Sequence, residues 1–103
     1  MAIKLLVLDV DGTLTDAEGR IGAANKSAVR AALAAGVEVA LATGRPRQGV
    51  EAICAELGIR GPLMLVNGAL VLADEEVWLE DYLAPADVEA VLAYGQAAGG
   101  LVL

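Results

Sequence analysis

The chain has 103 residues, enough for one compact domain, and 57% of them are hydrophobic, which excludes an intrinsically disordered chain. Its net charge is −7, with seven basic against fourteen acidic residues, which argues against binding to nucleic acid or to an anionic membrane surface. The sequence contains no histidine, so Ser-His-Asp triads and histidine-ligated zinc are excluded as well.

The first half of the chain alternates apolar runs with helical patterns. Residues 3–8 form an apolar run typical of a strand covered on both faces, and residues 12–22 are rich in loop formers. Residues 25–35 carry apolar side chains at helical spacing, and residues 37–42 form a second apolar run rich in valine. These patterns predict a strand, a loop, a helix and a second strand.

The pattern then repeats once. Pro46 suits the first turn of a helix that continues to residue 57, and residues 63–66 predict a third short strand. The order β-α-β-α-β predicts an α/β fold with a Rossmann-like parallel sheet and right-handed crossovers.

A different pattern follows the third strand. Residues 69–73 and 76–79 predict a β-hairpin, and Pro85 opens a helix that ends at Gly95 or at Gly99-Gly100. The closing residues 101–103 resemble the start of another strand.

The cysteine content and the apolar runs bear on the cellular location. The single Cys54 rules out an internal disulfide and favours a reducing compartment, so we expect a cytoplasmic protein. Its surroundings predict a buried helical position. No apolar run approaches the roughly 18 residues of a membrane-spanning helix, and no signal peptide is expected.

Polar residues follow each of the three predicted strands. In open parallel sheets, ligands bind beyond the carboxyl ends of the strands, so these residues are expected to converge on one crevice. Each group alone is common in turns, but all three at one end of a sheet are hard to assign to turn formation. The candidates are Asp9, Asp11, Gly12 and Thr13 after the first strand, Thr43, Gly44 and Arg45 after the second, and Asn67 after the third.

The residue types indicate phosphate chemistry. Two carboxylates two residues apart repel each other, and a hard cation such as Mg²⁺ neutralises them while keeping several waters. Gly12 and Gly44 allow their main-chain amides to approach a phosphate closely, and Thr43 offers a hydroxyl. One carboxylate can attack phosphorus to give an aspartyl-phosphate, and a second can act as general acid and base.

These motifs resemble those of the haloacid dehalogenase superfamily, in its Cof-like type IIB sugar-phosphatase branch. The resemblance rests on Asp9-Val10-Asp11-Gly12-Thr13, on Thr43-Gly44-Arg45, and on Asn67-Gly68-Ala69. It implies that Asp9 is the nucleophile and a Mg²⁺ ligand, and that Asp11 is the acid/base with its main-chain carbonyl on the metal. Gly12 and Thr13 complete the first motif.

The same resemblance implies that Thr43 and the Gly44 amide hold the phosphoryl group, with Arg45 and Asn67 near the substrate. Asp16 is expected to be a solvated loop residue rather than a ligand. The family also uses a later lysine and an acidic metal-binding loop, yet this sequence has no Lys or Arg after Arg60.

The resemblance therefore covers only the N-terminal part of the family's fold. It implies that residues 1–83 are the N-terminal half of the core and that residues 84–103 begin a cap domain. Such a truncated chain is expected to be inactive alone, and its first strand to be an exposed apolar edge that favours a homodimer or other association through that edge.

Three functional hypotheses stay open. The first is a Mg²⁺-dependent phosphatase of small phosphorylated metabolites, such as sugar phosphates or phosphoglycolate. The second is a non-catalytic module that binds phosphate or a protein. The third is the front part of a phosphomannomutase-like phosphotransferase, which begins with the same motifs.

Overall fold

The computed structural model describes residues 2–100, which form a five-stranded sheet and three helices. The strands are β1 (Leu5–Asp9), β2 (Glu38–Ala42), β3 (Leu63–Leu65), β4 (Leu70–Ala73) and β5 (Glu76–Glu80), and the helices are α1 (Ala23–Ala34), α2 (Glu51–Leu57) and α3 (Pro85–Ala97). The predicted strand at residues 101–103 lies outside the described residues.

The sheet has the strand order β1-β2-β3-β4-β5, with the first three strands parallel and the last two antiparallel. In register, Asp9 lies opposite Ala42, and Ala42 lies opposite Met64, so the carboxyl ends of the three parallel strands are level. This confirms the predicted α/β fold with a parallel sheet followed by a hairpin.

The core lies on the face of the sheet where α1 and α2 pack. Val39 and Leu41 of β2 are fully buried there, together with Leu65 of β3 and Ile53 of α2. Apolar side chains at alternate positions of β1 pack against the same cluster. Burial of these aliphatic chains, at roughly 1.5–3 kcal/mol each, is the main force that holds the three parallel strands and two helices together.

Strand β1 lies at one edge of the sheet, as the sequence predicts. On the face away from the helices, Leu5 and Val7 are 48% and 47% exposed. Because its outer edge has no partner strand among the described residues, half of its main-chain groups face solvent.

The second helix begins later than predicted. Pro46 is extended, with ψ of 171°, a 3₁₀ turn covers Arg47–Gly49, and α2 starts at Glu51. The predicted start at Pro46 is therefore wrong by about a turn, and Gly49, a weak helix former, lies in the intervening segment. The predicted burial of Cys54 is only half right, since this side chain is partly exposed on α2.

Strand β5 and helix α3 pack little against the rest of the described chain. Every residue of β5 is exposed, and so is every residue of α3 except Gly95. The radius of gyration is 16.6 Å, against about 13 Å for a compact domain of this length. Among residues 2–100, no helix has the length and apolar character needed to cross a membrane.

Candidate active site

The first strand ends in a tight turn that carries both predicted acids. Asp9 is the last residue of β1, and the turn Val10–Leu14 places Asp11 two residues further on. Gly12 adopts φ of +77°, a conformation that costs other residues more, so it allows the chain to reverse here. Thr13 Oγ1 donates a hydrogen bond of 3.2 Å to Asp9 Oδ2, which fixes the orientation of the predicted nucleophile.

Two residues that the sequence analysis missed hold this turn in place. The buried Thr15 donates through its main-chain N and its Oγ1 to the Val10 carbonyl, at 3.0 and 3.2 Å. Asn25 of α1 donates from Nδ2 to the main-chain oxygens of Thr13 and Leu14, at 3.4 and 3.1 Å. Position 25 lies inside a helical pattern, so only the tertiary fold reveals its contact with the turn.

The ends of the second and third strands are joined by main-chain hydrogen bonds. Thr43 is buried and donates from its main-chain N to Met64 O at 2.9 Å. The main-chain N of Val66 and of Asn67 donate to the carbonyls of Arg45 and Thr43, at 3.1 and 3.2 Å. These bonds bring the second and third predicted motifs into one surface.

Asn67 lies directly over Gly44. A Cβ atom at position 44 would lie 2.9 Å from Asn67 Oδ1, so a larger residue there would push this side-chain amide out of its present position. Val66 and Asn67 both adopt the left-handed conformation, with φ of +50° and +53°. For the β-branched Val66 this is strained, at a cost of order 1–3 kcal/mol, and such strain often accumulates at functional sites.

Arg45 connects the second motif to the first by a bidentate contact with Asp11. Its Nη2 lies 2.6 Å from Asp11 Oδ1, and its Nε lies 3.0 Å from Oδ2. Its Nη1 donates to Gly49 O at 2.8 Å, which holds the guanidinium from the other side. The hydrogen bond from Arg45 lowers the pKa of the Asp11 carboxyl below its ordinary value, while Asp11 raises the pKa of Arg45.

Asp9 and Asp11 therefore differ in their surroundings. Asp11 has a cationic partner, whereas Asp9 makes no ion pair with any side chain in the described part of the chain. An approaching phosphate would add negative charge next to Asp9, so a further cation is needed there.

Residues 2–100 contain no cluster of three or more acidic, histidine or cysteine side chains arranged to hold a metal ion. Mg²⁺ often binds only one or two protein carboxylates and completes its shell with waters and substrate phosphate. The exposed Asp9 carboxylate fits this limited role, while Arg45 occupies both oxygens of the Asp11 carboxylate.

Asp16 behaves as the sequence predicts. It is exposed, and its Oδ1 accepts hydrogen bonds of 2.9 Å from the main-chain N of Glu18 and of Arg20. Its carboxylate closes the loop that follows the first motif and contacts none of the other candidate residues.

A large hollow lies away from these strand ends. It has a volume of about 940 Å³ and is lined by α2, by the start of β3 and by the hairpin turn. It includes three carboxylates, two guanidinium groups and the Cys54 thiol, whose pKa is raised by burial. None of the predicted site residues lines it.

A family model of haloacid dehalogenase-like hydrolases matches residues 6–102. The chain is 34% identical over 106 residues to a phosphoglycolate phosphatase of Methanoculleus marisnigri, an alignment that covers 87% of this chain and 45% of the relative.

Two solved structures show the same fold. A haloacid dehalogenase-like hydrolase from Bacteroides thetaiotaomicron superposes with a TM-score of 0.87 and 28% identity, over 93% of this chain and 38% of that one. A sugar phosphatase of subclass IIB superposes with a TM-score of 0.76 and 31% identity, again over 93% of this chain and 38% of the other. The chain thus spans less than half the length of these relatives, and it belongs to the haloacid dehalogenase-like hydrolase family.

Proposed function

We propose that this chain carries the nucleophile and acid/base half of a phosphatase site for small phosphorylated metabolites, such as sugar phosphates or phosphoglycolate. The observation that carries the proposal is the meeting of three strand ends, where Asp9 lies opposite Ala42, just before the Thr43–Gly44 loop, and Asp11 contacts Arg45. The phosphatase relatives support the same chemistry.

In the proposed reaction, an Asp9 carboxylate oxygen attacks phosphorus and the bond from phosphorus to the leaving-group oxygen breaks. Asp11 donates a proton to that oxygen, which leaves as an alcohol. Asp11 then takes a proton from a water molecule that attacks the aspartyl-phosphate. The bond between phosphorus and Asp9 breaks, and inorganic phosphate leaves.

The contact with Arg45 favours one of these two roles of Asp11. Because Arg45 lowers the pKa of Asp11, the carboxyl is held ionised, as the base step requires. For the acid step, Arg45 must move from Asp11 to the substrate phosphate, which is a natural bidentate partner of a guanidinium.

In this proposal, Mg²⁺ would be held by Asp9 and by the main-chain carbonyl of Asp11. When bound, it neutralises the charge that develops between the Asp9 carboxylate and the phosphoryl group. Thr13 orients the nucleophile through its hydrogen bond to Asp9, and the Asn67 amide lies next to Gly44, near the proposed phosphate position.

We further propose that these 103 residues bind phosphate with little or no turnover. Among residues 2–100 no cation pairs with Asp9, and loss of one preorganised charge typically lowers a rate by 10²–10³ or more. The same observation favours the second hypothesis, a phosphate-binding module without catalysis.

The test uses beryllium trifluoride, a mimic of the phosphoryl group on aspartate, followed by fluorine NMR with Mg²⁺. We expect a protein-bound signal in the native chain and in Asp81→Asn, which removes an exposed carboxylate elsewhere, and none in Asp9→Asn. No bound signal in any chain would contradict the phosphatase half-site. Turnover of p-nitrophenyl phosphate that Asp9→Asn abolishes would show that the chain is active, against the second part of the proposal.

We also propose that α3 begins a cap domain and that β1 associates through its free edge. The exposed Leu5 and Val7 and the unpaired main chain of β1 support the second point, and a homodimer is the simplest product. Light scattering checks it, since a monomer at all concentrations would contradict it. A cytoplasmic location stays a prediction.

A further inference from the structure

A second concave surface lies behind the candidate active site. It is a cavity of about 430 Å³ between the loop at residues 19–21, the start of α1 and the first turns of α2. Its apolar part comes from Ile21 and Ile53, and three cationic side chains line it, namely Arg20, Lys26 and Arg45.

The charge of this lining is opposite to that of the whole chain. Three of the seven basic residues of a chain with net charge −7 line this cavity, and Glu56 is the only acid among the lining residues. The carboxylates of Asp11, Asp16 and Glu18 contact two of these cations from outside the lining, so an anion bound here depends on the N–H donors that those contacts leave free.

Arg45 has donors to spare for such an anion. A guanidinium carries five N–H groups, and the contacts with Asp11 and Gly49 use one on each of its three nitrogens. One N–H on Nη1 and one on Nη2 are left. Asp11 does not line the cavity, so an anion there shares Arg45 with Asp11 without entering the crevice between the strand ends.

Arg20 is held at the cavity by the Asp16 loop but is only weakly paired. Its main-chain N donates to Asp16 Oδ1 at 2.9 Å, and its main-chain O accepts from Asp16 N at 2.8 Å. Its guanidinium lies 3.8 Å from Asp16 and 3.9 Å from Glu18 and is 75% exposed. Exposed pairs at such distances contribute little, so an incoming anion can recruit this guanidinium.

Lys26 is the third donor. Its Nζ lies 2.5 Å from Glu56 Oε1, and the side chain is only 33% exposed. An ammonium has three N–H donors, so two remain after this contact.

We propose that this cavity binds a small multivalent oxyanion, such as phosphate or sulfate, through Arg20, Lys26 and Arg45. The site goes beyond the proposed phosphatase chemistry, because it needs neither Asp9 nor a metal ion. Bound phosphate would draw on the same arginine that contacts Asp11, which couples this cavity to the crevice.

The experiment is a sulfate titration of the metal-free Asp9→Asn chain, followed by the amide NMR signals of Gly19 and Gly49. Sodium chloride at equal ionic strength is the control for screening. We expect saturable shifts with sulfate only. Arg20→Gln with Lys26→Gln should weaken binding about tenfold or more, since two charge-assisted hydrogen bonds are lost.

Two further variants sharpen the result. Lys4→Gln with Arg30→Gln removes the same charge from residues outside the cavity, and the affinity should change less than about twofold. Glu56→Gln frees Lys26 and should strengthen binding. Equal losses in both double variants, identical shifts with chloride, or no saturable shift would overturn the proposal, whatever the result with beryllium trifluoride.

Discussion

The central strand β2 and the outer strand β5 of this sheet have very different surroundings. In β2, Val39, Ala40 and Leu41 are completely buried, whereas in β5 Trp78 is 57% exposed and Leu79 is 50% exposed. All candidate site residues lie on the parallel strands β1 to β3 or in the turns that follow them. The candidate site therefore lies at the ends of the strands that pack against α1 and α2, and not on the exposed β5 or α3.

The largest expected effect comes from truncating a side chain in the core, compared with the same truncation on β5. Leu41→Ala should lower the free energy of unfolding by about 2–5 kcal/mol, because it leaves a cavity between the sheet and the helices. Leu79→Ala, the same change on the exposed β5, should cost less than about 1 kcal/mol. Urea unfolding followed by circular dichroism measures both, and equal losses would show that the hairpin is as well packed as the core.

A smaller effect on stability is expected where α1 contacts the turn after β1. Asn25→Ala removes two hydrogen bonds to the turn after β1 and should cost about 1–2 kcal/mol of stability. Beryllium trifluoride binding should weaken as well, because the turn carries Asp11 and positions Asp9. Ser27→Ala on the exposed face of the same helix is the control and should change neither quantity. Unaltered binding in Asn25→Ala would show that the turn holds its shape without this side chain.

The smallest expected effect is electrostatic. The folded state lowers the pKa of Asp11 from its ordinary 3.8 through Arg45, so the contact stabilises the fold above that value and is lost as the pH falls through the lowered pKa. The stability difference between the native chain and Asp11→Asn should therefore be largest near about pH 6 and shrink towards about pH 2.5. Denaturation curves at several pH values test this. A stability difference that does not change with pH would contradict a contribution from the charge of Asp11.

Much of the parallel part of the sheet could be predicted from local sequence. Apolar runs of the right length define β1 and β2, and the polar residues that follow them lie where parallel strands end. The hairpin was also predictable, because two short apolar runs flank Asp74-Glu75.

The features that could not be predicted depend on contacts between distant residues. Asn25 meets the turn after β1 only when α1 has packed against the sheet. The left-handed conformation of Val66 contradicts its own preference and is held by main-chain hydrogen bonds to the loop after β2. The 3₁₀ turn before α2 likewise includes a contact that no local pattern predicts, since Arg45 Nη1 donates to the Gly49 carbonyl.

The contact between Asp11 and Arg45 also depends on the register of β1 against β2. The two residues are 34 positions apart and meet only when β1 and β2 lie side by side with α1 crossing over one face. A slip of β1 by one position would turn each of its side chains to the opposite face and carry Asp11 away from the guanidinium. A chain that folds in the wrong register therefore loses the contact between Asp11 and Arg45 together with the proposed phosphate binding, so a measurement of that binding also tests the register of β1.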